Sequence, residues 1–245
     1  MHDGTGNPNL MAARPALRVA SLTYDAGDAR LIDIPALELA EQGITVVMGP
    51  NGAGKSLLLR LLHGLIVPSG GRVSVGLEPL SPRICKRQAL VFQKPVLLRR
   101  SVAANVDFVL KARGKDRAAR ERLLDLVGLG PLSDRPARRL SGGEQQRLAI
   151  AKALATEPVT LFMDEPTASL DPASVQAIEA IVTRVAGDGV RVIFVSHDVA
   201  QARRLARDVV FMNKGRVAEH AMADQFFEQP ETEAARAYLA GRLVA

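Results

Sequence analysis

The amino-acid sequence predicts an α/β fold with a parallel central sheet and a helical subdomain inserted into it. Strand-like runs alternate with helical patterns along the chain, which is typical of parallel α/β sheets. Short runs rich in β-branched residues at positions 43–48, 159–163 and 190–195 predict buried central strands. Between Gln93 and Pro158 no strand candidate occurs and helical periodicity dominates, so this segment is predicted to form the helical subdomain.

Length and composition fit one globular domain with its own core. The chain has 245 residues, of which 47% are hydrophobic and 24% are charged, ordinary values near the upper size limit for a single core. Its longest apolar runs fall far short of the roughly 20 residues that span a bilayer. Residues 1–9 lack the apolar run of a signal peptide, so we expect residues 1–14 to be a flexible leader. Cys85 is the only cysteine, which excludes a disulfide within the chain and favours a reducing compartment.

The net charge predicts an anionic partner. The formal charge is +6 and the sequence pI is near 9.9, and a basic surface favours nucleotide, nucleic acid or an anionic lipid leaflet. The sequence has no Trp, and aromatic residues make up only 4% of it. A nucleic-acid surface built on aromatic stacking is therefore disfavoured, and nucleic acid is not an expected partner.

The first predicted strand leads into a phosphate-binding loop. Residues 49–56 fit the pattern of such a loop between a strand and a helix, the latter predicted at 55–63. The glycines allow successive backbone N–H groups to face one centre, and the helix N-terminus adds partial positive charge. Lys55 is predicted to bridge the β- and γ-phosphates, and the Ser56 hydroxyl to bind Mg²⁺. The predicted nucleotide-binding residues of the loop are Gly49, Pro50, Asn51, Gly52, Ala53, Gly54, Lys55 and Ser56.

Two adjacent carboxylates follow the strand predicted at 159–163. Because the carboxyl ends of parallel strands meet at one edge of a sheet, we expect Asp164 and Glu165 beside the phosphate loop. Asp164 is placed to hold Mg²⁺ through water, and Glu165 to polarise the attacking water. Such a pair can also be an ordinary turn, but the phosphate loop upstream favours the catalytic interpretation.

Residues 140–147 predict a helix start that can bind an anion. Ser141 and Glu144 form a capping-box pattern, and the helix is predicted to run through Ala155. A start with one Ser and two glycines, at 141–143, exposes N–H groups to a phosphate from another molecule. The alternative is a capped helix without a ligand.

The sequence of residues 140–147, Leu-Ser-Gly-Gly-Glu-Gln-Gln-Arg, resembles the signature motif of the ABC ATPase superfamily, and the resemblance spans nearly the whole chain. The resemblance implies that Tyr24 stacks on adenine, that Gln93 senses Mg²⁺ and the permease, and that His197 contacts the γ-phosphate. Residues 169–171 are similar to the loop that crosses the dimer interface of this family.

The fold implied by the resemblance is a P-loop NTPase core with a parallel central sheet, an N-terminal antiparallel β portion and an inserted α-helical subdomain. Residues 15–245 are then expected to form one ABC ATPase domain. Its expected parts are a core at 15–92 and 158–228, a helical subdomain at 93–157 and a C-terminal helical tail at 229–245.

ATP and Mg²⁺ are the implied cofactors, and the implied assembly is a head-to-tail dimer. Each ATP is held by one phosphate loop and capped by the signature segment of a second copy. One chain carries one of each half-site, so an isologous pair completes two sites. The implied catalytic residues are Lys55, Gln93, Glu165 and His197. The implied Mg²⁺ residues are Ser56, Gln93 and Asp164. The nucleotide-binding set is completed by Tyr24, Leu57, Ser141, Gly142, Gly143 and Asp171.

Three features favour a transporter subunit over the other branches of the superfamily. The sequence has no long heptad tract and no second ATPase cassette, and residues 95–102 are apolar and then basic, which suits a permease's cytoplasmic helix. An ordinary turn packed on the core is the alternative for that segment. We therefore expect transmembrane permease subunits as partners, an extracytoplasmic substrate-binding protein as an indirect one, and a peripheral location on the cytoplasmic face of the cell membrane.

The predicted substrate is an oxyanion. Residues 94–106 and 226–241 resemble importers of oxyanions, and among them most closely tungstate importers. Importers of phosphate, molybdate or polar amino acids are alternatives. A soluble ABC ATPase that does not act in transport, and an exporter of lipid or lipoprotein, are rival functions.

Leu57 departs from the family pattern, in which Ser or Thr follows the position of Ser56. The backbone N–H is retained but a hydroxyl to the α-phosphate is lost, so Leu57→Thr is predicted to lower the Kd for ATP about fivefold, or about 1 kcal/mol for one hydrogen bond. Titration calorimetry measures this Kd. The control is Leu57→Val, because Val has nearly the volume of Thr but no hydroxyl. An unchanged Kd for Leu57→Thr contradicts the prediction.

Overall fold

A mixed six-stranded sheet and a four-stranded antiparallel sheet organise residues 15–242, the part of the chain that this computed structural model describes. The predicted leader, 1–14, and the last three residues of the predicted tail, 243–245, lie outside the described residues. The strands are β1 Leu17–Ala26, β2 Ala29–Leu39, β3 Ile44–Met48, β4 Gly70–Val75, β5 Glu78–Pro79, β6 Gln88–Val91, β7 Thr160–Asp164, β8 Arg191–Val195, β9 Asp208–Asn213 and β10 Arg216–Met222. The α-helices are α1 Lys55–His63, α2 Pro82–Cys85, α3 Val102–Ala112, α4 Ala119–Leu126, α5 Gly142–Leu154, α6 Pro172–Gly187, α7 Val199–Leu205, α8 Ala223–Glu228 and α9 Glu233–Leu239.

The six-stranded sheet has the order β10-β9-β3-β8-β7-β6, in which β3, β6, β7, β8 and β9 run parallel and β10 pairs antiparallel with β9. Every residue of β3, β7 and β8 is buried, as expected for strands covered on both faces. Alternate residues enter two different cores: Phe194 packs in one of them, and Ile193 and Val195 in the other. The predicted α/β class with a parallel central sheet is confirmed.

The antiparallel sheet, in the order β2-β1-β4-β5, contains the N-terminal strands. Its β1 pairs with β2 over most of its length, with Leu22 opposite Ile34 and Tyr24 opposite Ile32. Leu22, Ile32 and Ile34 are fully buried in the core that this sheet shares with α1. The antiparallel β portion implied by the family resemblance is therefore present.

Helices dominate between β6 and β7. Ser101 caps α3 through its side chain, which accepts the N–H of Ala104. The basic stretch at 113–120 leads into α4, and Arg117 and Arg120 both bind the carboxylate of Asp107 on α3. These contacts hold α3 and the start of α4 together.

The C-terminal segment packs against the six-stranded sheet through a buried carboxylate. Glu219 on β10 is 6% exposed and accepts hydrogen bonds from the N–H groups of Glu231 and Thr232 and from the Thr232 hydroxyl. Thr232 caps α9, and the ring of Tyr238 on this helix packs 5.2 Å from that of Phe211. Within residues 15–242, no helix is long and apolar enough to cross a membrane.

The three predicted central strands each begin one residue later than predicted, the helix predicted through Ala155 ends at Leu154, and the predicted end of β7 also needs correction. Asp164 is the last residue of β7, paired with Val195 of β8, whereas the sequence placed it after the strand. The hydrogen-bond ladder with β8 fixes the position of Asp164 at the carboxyl end of the sheet. Glu165 is the first residue beyond the strand.

Candidate functional site

The carboxyl ends of three neighbouring parallel strands form the candidate site. The phosphate loop follows β3, Asp164 and Glu165 end β7, and Ser196 and His197 follow β8. Since β8 lies between β3 and β7 in the sheet, these segments meet at one edge, where ligands of open α/β sheets bind.

Backbone conformation shapes the phosphate loop. Gly49, Gly52 and Gly54 have φ values of 142°, 80° and 97°, which residues with a side chain rarely adopt. A Cβ atom at Gly49 would lie 2.1 Å from the carbonyl oxygen of Met212 on β9. Glycine at position 49 is therefore required by both backbone conformation and space.

Lys55 points into the loop rather than into solvent. Its Nζ donates hydrogen bonds to the carbonyl oxygens of Gly49 at 2.8 Å and Pro50 at 3.0 Å. Burial lowers the pKa of Lys55, and the negative charges of Glu165 and Asp164 oppose that shift. The ammonium group is thus held where a phosphate cradled by the loop N–H groups would meet it.

Ser56 and Asp164 form the closest polar contact between α1 and β7. The Ser56 hydroxyl donates to Asp164 Oδ1 at 2.6 Å, and Arg60 Nη2 lies 4.0 Å from Oδ2. A hydroxyl and a carboxylate side by side are the hard oxygen ligands that suit Mg²⁺, which binds few protein groups and keeps several waters. Among residues 15–242, no group of three or more His, Cys, Asp or Glu that could hold a metal ion occurs.

Glu165 and His197 face each other across the edge of the sheet. His197 Nδ1 lies 3.4 Å from Glu165 Oε2, and the two side chains are 58% and 19% exposed. Glu165 has a φ of 45°, a left-handed conformation that costs energy for a residue with a side chain. The contact brings together the predicted base and the predicted γ-phosphate ligand.

The signature segment and the Asp171 loop adjoin each other. Ser141 and Glu144 form the predicted capping box, with hydrogen bonds of 3.3 Å and 2.7 Å. A Cβ atom at Gly143 would lie 2.1 Å from Ser174 Oγ on α6. Asp171 caps α6 through Ser174, whose N–H and hydroxyl lower the pKa of the Asp171 carboxyl.

Several predicted site residues make no hydrogen bond or ion pair to the phosphate loop in the part of the chain that the structure describes. Within residues 15–242, no hydrogen bond or ion pair joins that loop to the predicted residues Tyr24, Gln93, Ser141, Gly142, Gly143 and Asp171. Tyr24 packs half-buried on the core, Gln93 is exposed after β6, and Leu57 packs partly buried on the same core as Tyr24. The single chain therefore unites Lys55, Ser56, Asp164, Glu165 and His197.

Three supporting residues were not predicted. Arg60 follows Ser56 by one helical turn, a spacing that could have indicated its approach to Asp164. Gly215, in the turn between β9 and β10, donates its N–H to Ala53 O at 3.1 Å. The Tyr238 hydroxyl donates to His197 O at 3.2 Å, a contact between distant segments without a local sequence signal.

We predict that Gly49→Ala weakens ATP binding at least tenfold, because the added methyl group collides with Met212 O and displaces the loop. Gly114→Ala is the matched control: Gly114 also has a positive φ, 62°, but no atom lies within 4 Å of its Cβ position. Titration of a fluorescent ATP analogue measures both affinities. Equal affinities of Gly49→Ala and the unmodified protein would contradict the assigned role of the loop.

Comparisons with known proteins agree with this geometry. Residues 33–168, more than half of the chain, match the family model described as ABC transporter. The chain is 38% identical over 216 residues to the tungstate uptake system ATP-binding protein TupC of Peptoclostridium acidaminophilum, covering 86% of this chain and 99% of that protein. It is also 38% identical over 231 residues to the thiamine import ATP-binding protein ThiQ of Mesorhizobium japonicum, covering 91% and 90%.

A solved structure shows the same fold. It is that of cbiO1 from Clostridium perfringens, described as part of the ABC transporter complex cbiONQ, with a TM-score of 0.79 at 28% identity, covering 89% of this chain and 92% of that one. Together with the geometry of the sheet edge, these likenesses establish that the chain belongs to the ABC transporter family, as one of its ATP-binding, ATP-hydrolysing subunits.

Proposed function

We propose that this ABC ATPase drives uptake of an oxyanion, tungstate, through a permease formed by other subunits. The observation that carries the ATPase mechanism is the meeting of Lys55, the Ser56–Asp164 pair and the Glu165–His197 pair at one sheet edge. Import is supported by the named activities of the tungstate and thiamine relatives.

The residues at the edge have distinct proposed roles. Lys55 and the loop N–H groups hold the phosphates of ATP. Ser56 and Asp164, together with Gln93, would hold Mg²⁺, and the ion would supply positive charge to the phosphates. Glu165 accepts a proton from the water whose oxygen attacks the γ-phosphorus; the bond from that phosphorus to ADP breaks, and ADP and phosphate leave. His197 binds the γ-phosphate and contacts Glu165.

A second copy of the chain completes the proposed site. Ser141 and Gly142 are exposed at the N-terminus of α5, where the helix dipole and the first-turn N–H groups that the capping box leaves unused favour an anion. Among residues 15–242, no hydrogen bond joins the segment to its own phosphate loop, and in this proposal a head-to-tail dimer supplies it in trans. Tyr24 and Asp171 act in that assembly, at the adenine and at the dimer interface.

The permease docks, in this proposal, into a cavity of about 630 Å³ between β6 and α5. The apolar side chains of Leu65, Phe92 and Val96 line it while remaining exposed, Val96 at 78%. Gln88 lies at its floor, 3% exposed, and neither polar atom of its amide has a hydrogen-bond partner within residues 15–242. An amphipathic cytoplasmic helix that offers apolar contacts and a polar side chain would satisfy both features. Such docking places the ATPase peripherally on the cytoplasmic face of the membrane.

Tungstate is proposed as the substrate because the tungstate relative aligns over nearly its whole length and because the segments at 94–106 and 226–241 resemble oxyanion importers. The thiamine relative is equally identical, which makes thiamine a second candidate. Recovery of a polytopic membrane protein with the purified chain supports transport, whereas recovery of a cytosolic assembly scaffold or of DNA supports a soluble ATPase.

We expect Glu165→Gln to reduce ATP hydrolysis at least 100-fold and to accumulate an ATP-bound dimer, because the variant keeps the side-chain shape and loses the base. Steady-state phosphate release and size-exclusion chromatography with ATP measure the two effects. Glu157→Gln is the matched control. Glu157 lies just before β7, at the end of the strand opposite Glu165, and it also has a positive φ, 52°. Its carboxylate pairs with Lys115 on the surface. Hydrolysis by Glu165→Gln at the normal rate would show that Glu165 is misassigned.

The substrate is tested by the uptake of tungsten, molybdenum, phosphorus and thiamine in source cells that lack this chain. We expect a selective loss of tungsten uptake, restored by the natural chain and not by Glu165→Gln. Selective loss of thiamine uptake would assign the second candidate. Unchanged uptake of all four substrates would refute both assignments while leaving the ATPase assignment intact.

A further inference from the structure

One buried amide joins the two loops that carry Glu165 and His197. The side-chain oxygen of Gln201, on α7, accepts hydrogen bonds from the Thr167 hydroxyl at 3.0 Å and from the Ser196 hydroxyl at 2.9 Å. Thr167 lies two residues after Glu165, and Ser196 directly precedes His197. Gln201 thus fixes both loops at points within two residues of the facing side chains.

The orientation of this amide is itself fixed. Gln201 Nε2 donates to Glu179 Oε1 at 3.1 Å, and Arg204 holds the Glu179 carboxylate with two hydrogen bonds of 2.9 Å and 2.6 Å. These contacts, with Arg204 first, lower the pKa of Glu179, so the carboxylate stays charged. A flipped amide would turn its oxygen towards that carboxylate and its N–H groups towards the two hydroxyls, so only one orientation satisfies every group.

The Gln201 side chain is not used to cap its own helix. Asp198 caps α7, because its side chain accepts the N–H of Gln201. The two residues have the spacing of a capping box, a motif in which the Gln side chain would accept the N–H of Asp198. Here the Ser196 hydroxyl oxygen accepts the Asp198 N–H at 3.0 Å. The Gln201 amide is therefore available to bind Thr167, Ser196 and Glu179.

We propose that Gln201 is a positioning residue for ATP hydrolysis, which sets the distance between the Glu165 carboxylate and the His197 ring. Gln201 is 1% exposed and Ser196 4% exposed, so the amide acts through the loops and does not touch the nucleotide. In a buried network, the loss of one partner leaves the others unpaired and lets the loops separate. The inference rests on the proposed roles of Glu165 and His197.

The test compares kcat and KM for ATP in the full-length protein. Gln201→Leu removes the amide, and we expect kcat to fall at least tenfold while KM stays within twofold. Thr167→Val removes one hydroxyl and keeps the side-chain shape, and we expect kcat to fall at least threefold with KM unchanged. In the double variant the two decreases should not multiply, because both changes break the same link. Because partial unfolding would also lower the apparent kcat at unchanged KM, kcat is expressed per ATP-binding site, counted by titration with a fluorescent ATP analogue.

Thr45→Val is the matched control. Thr45 is 1% exposed and its hydroxyl donates to the Asp208 carboxylate at 3.0 Å. The same change therefore removes a hydroxyl hydrogen bond near the start of β3, at the end opposite the phosphate loop. We expect its kcat to stay within twofold of that of the unmodified protein. If Gln201→Leu fails to fold, Thr167→Val against Thr45→Val decides the question.

Two outcomes would overturn the proposal. The first is a kcat within twofold of normal for every Gln201 and Thr167 variant that folds; the second is a proportional change of kcat and KM. Glu165→Gln separates this proposal from the proposed function. If Glu165→Gln abolishes hydrolysis and the Gln201 and Thr167 variants do not lower kcat, the positioning role fails and the ATPase mechanism stands. If Glu165→Gln hydrolyses ATP normally, the mechanism fails first.

Discussion

The parallel pairing of β3, β8 and β7 is the constraint on which the site depends. Val47, the second-last residue of β3, pairs with Val195, and Val195 pairs with Asp164, so the carboxyl ends of the three strands lie within one residue of the same level. The residues of these strands alternate between two fully packed cores, and a slip of one residue would exchange every side chain between them. The register that places Asp164 beside Ser56 is therefore enforced by burial along the whole strand.

That rigid edge allows charged and strained groups to persist. Lys55 is buried with a lowered pKa, and the two carboxylates beside it offset part of the cost of desolvation. Glu165 and Ser169 have φ values of 45° and 63°, each costing of order 1–3 kcal/mol. Glu165 lies directly after the fully buried strand β7, whose packing and hydrogen-bond ladder oppose relaxation, and Ser169 follows four residues later. Groups aimed at a phosphate before it arrives do not need to reorganise when it binds.

Local patterns were sufficient to predict much of this structure. The helix at Lys55–His63 and the capping box at Ser141 match their predictions, because loops, caps and helix starts depend on residues a few positions apart. The contacts of Gln201 with Thr167 and of Tyr238 with His197 were missed because they join residues 34 and 41 positions apart. The proposed role of Ser141 involves a second copy of the chain, and it rests on the family pattern.

Helix α5 connects the cavity proposed for the permease to the signature segment, residues 141–143. Ser141 caps the N-terminus of α5, and Lys152, near its C-terminus, lines the cavity and donates to Val96 O. Gln146, between them, donates to Phe92 O at 3.0 Å, next to Gln93. Thirteen residues of α-helix form a rod of about 20 Å, and such a rod tilts more readily than it bends. In the proposed assembly, a permease helix that moves in the cavity would therefore also move residues 141–143, which face the ATP of the second copy. Helix α5 then connects permease docking to nucleotide capping.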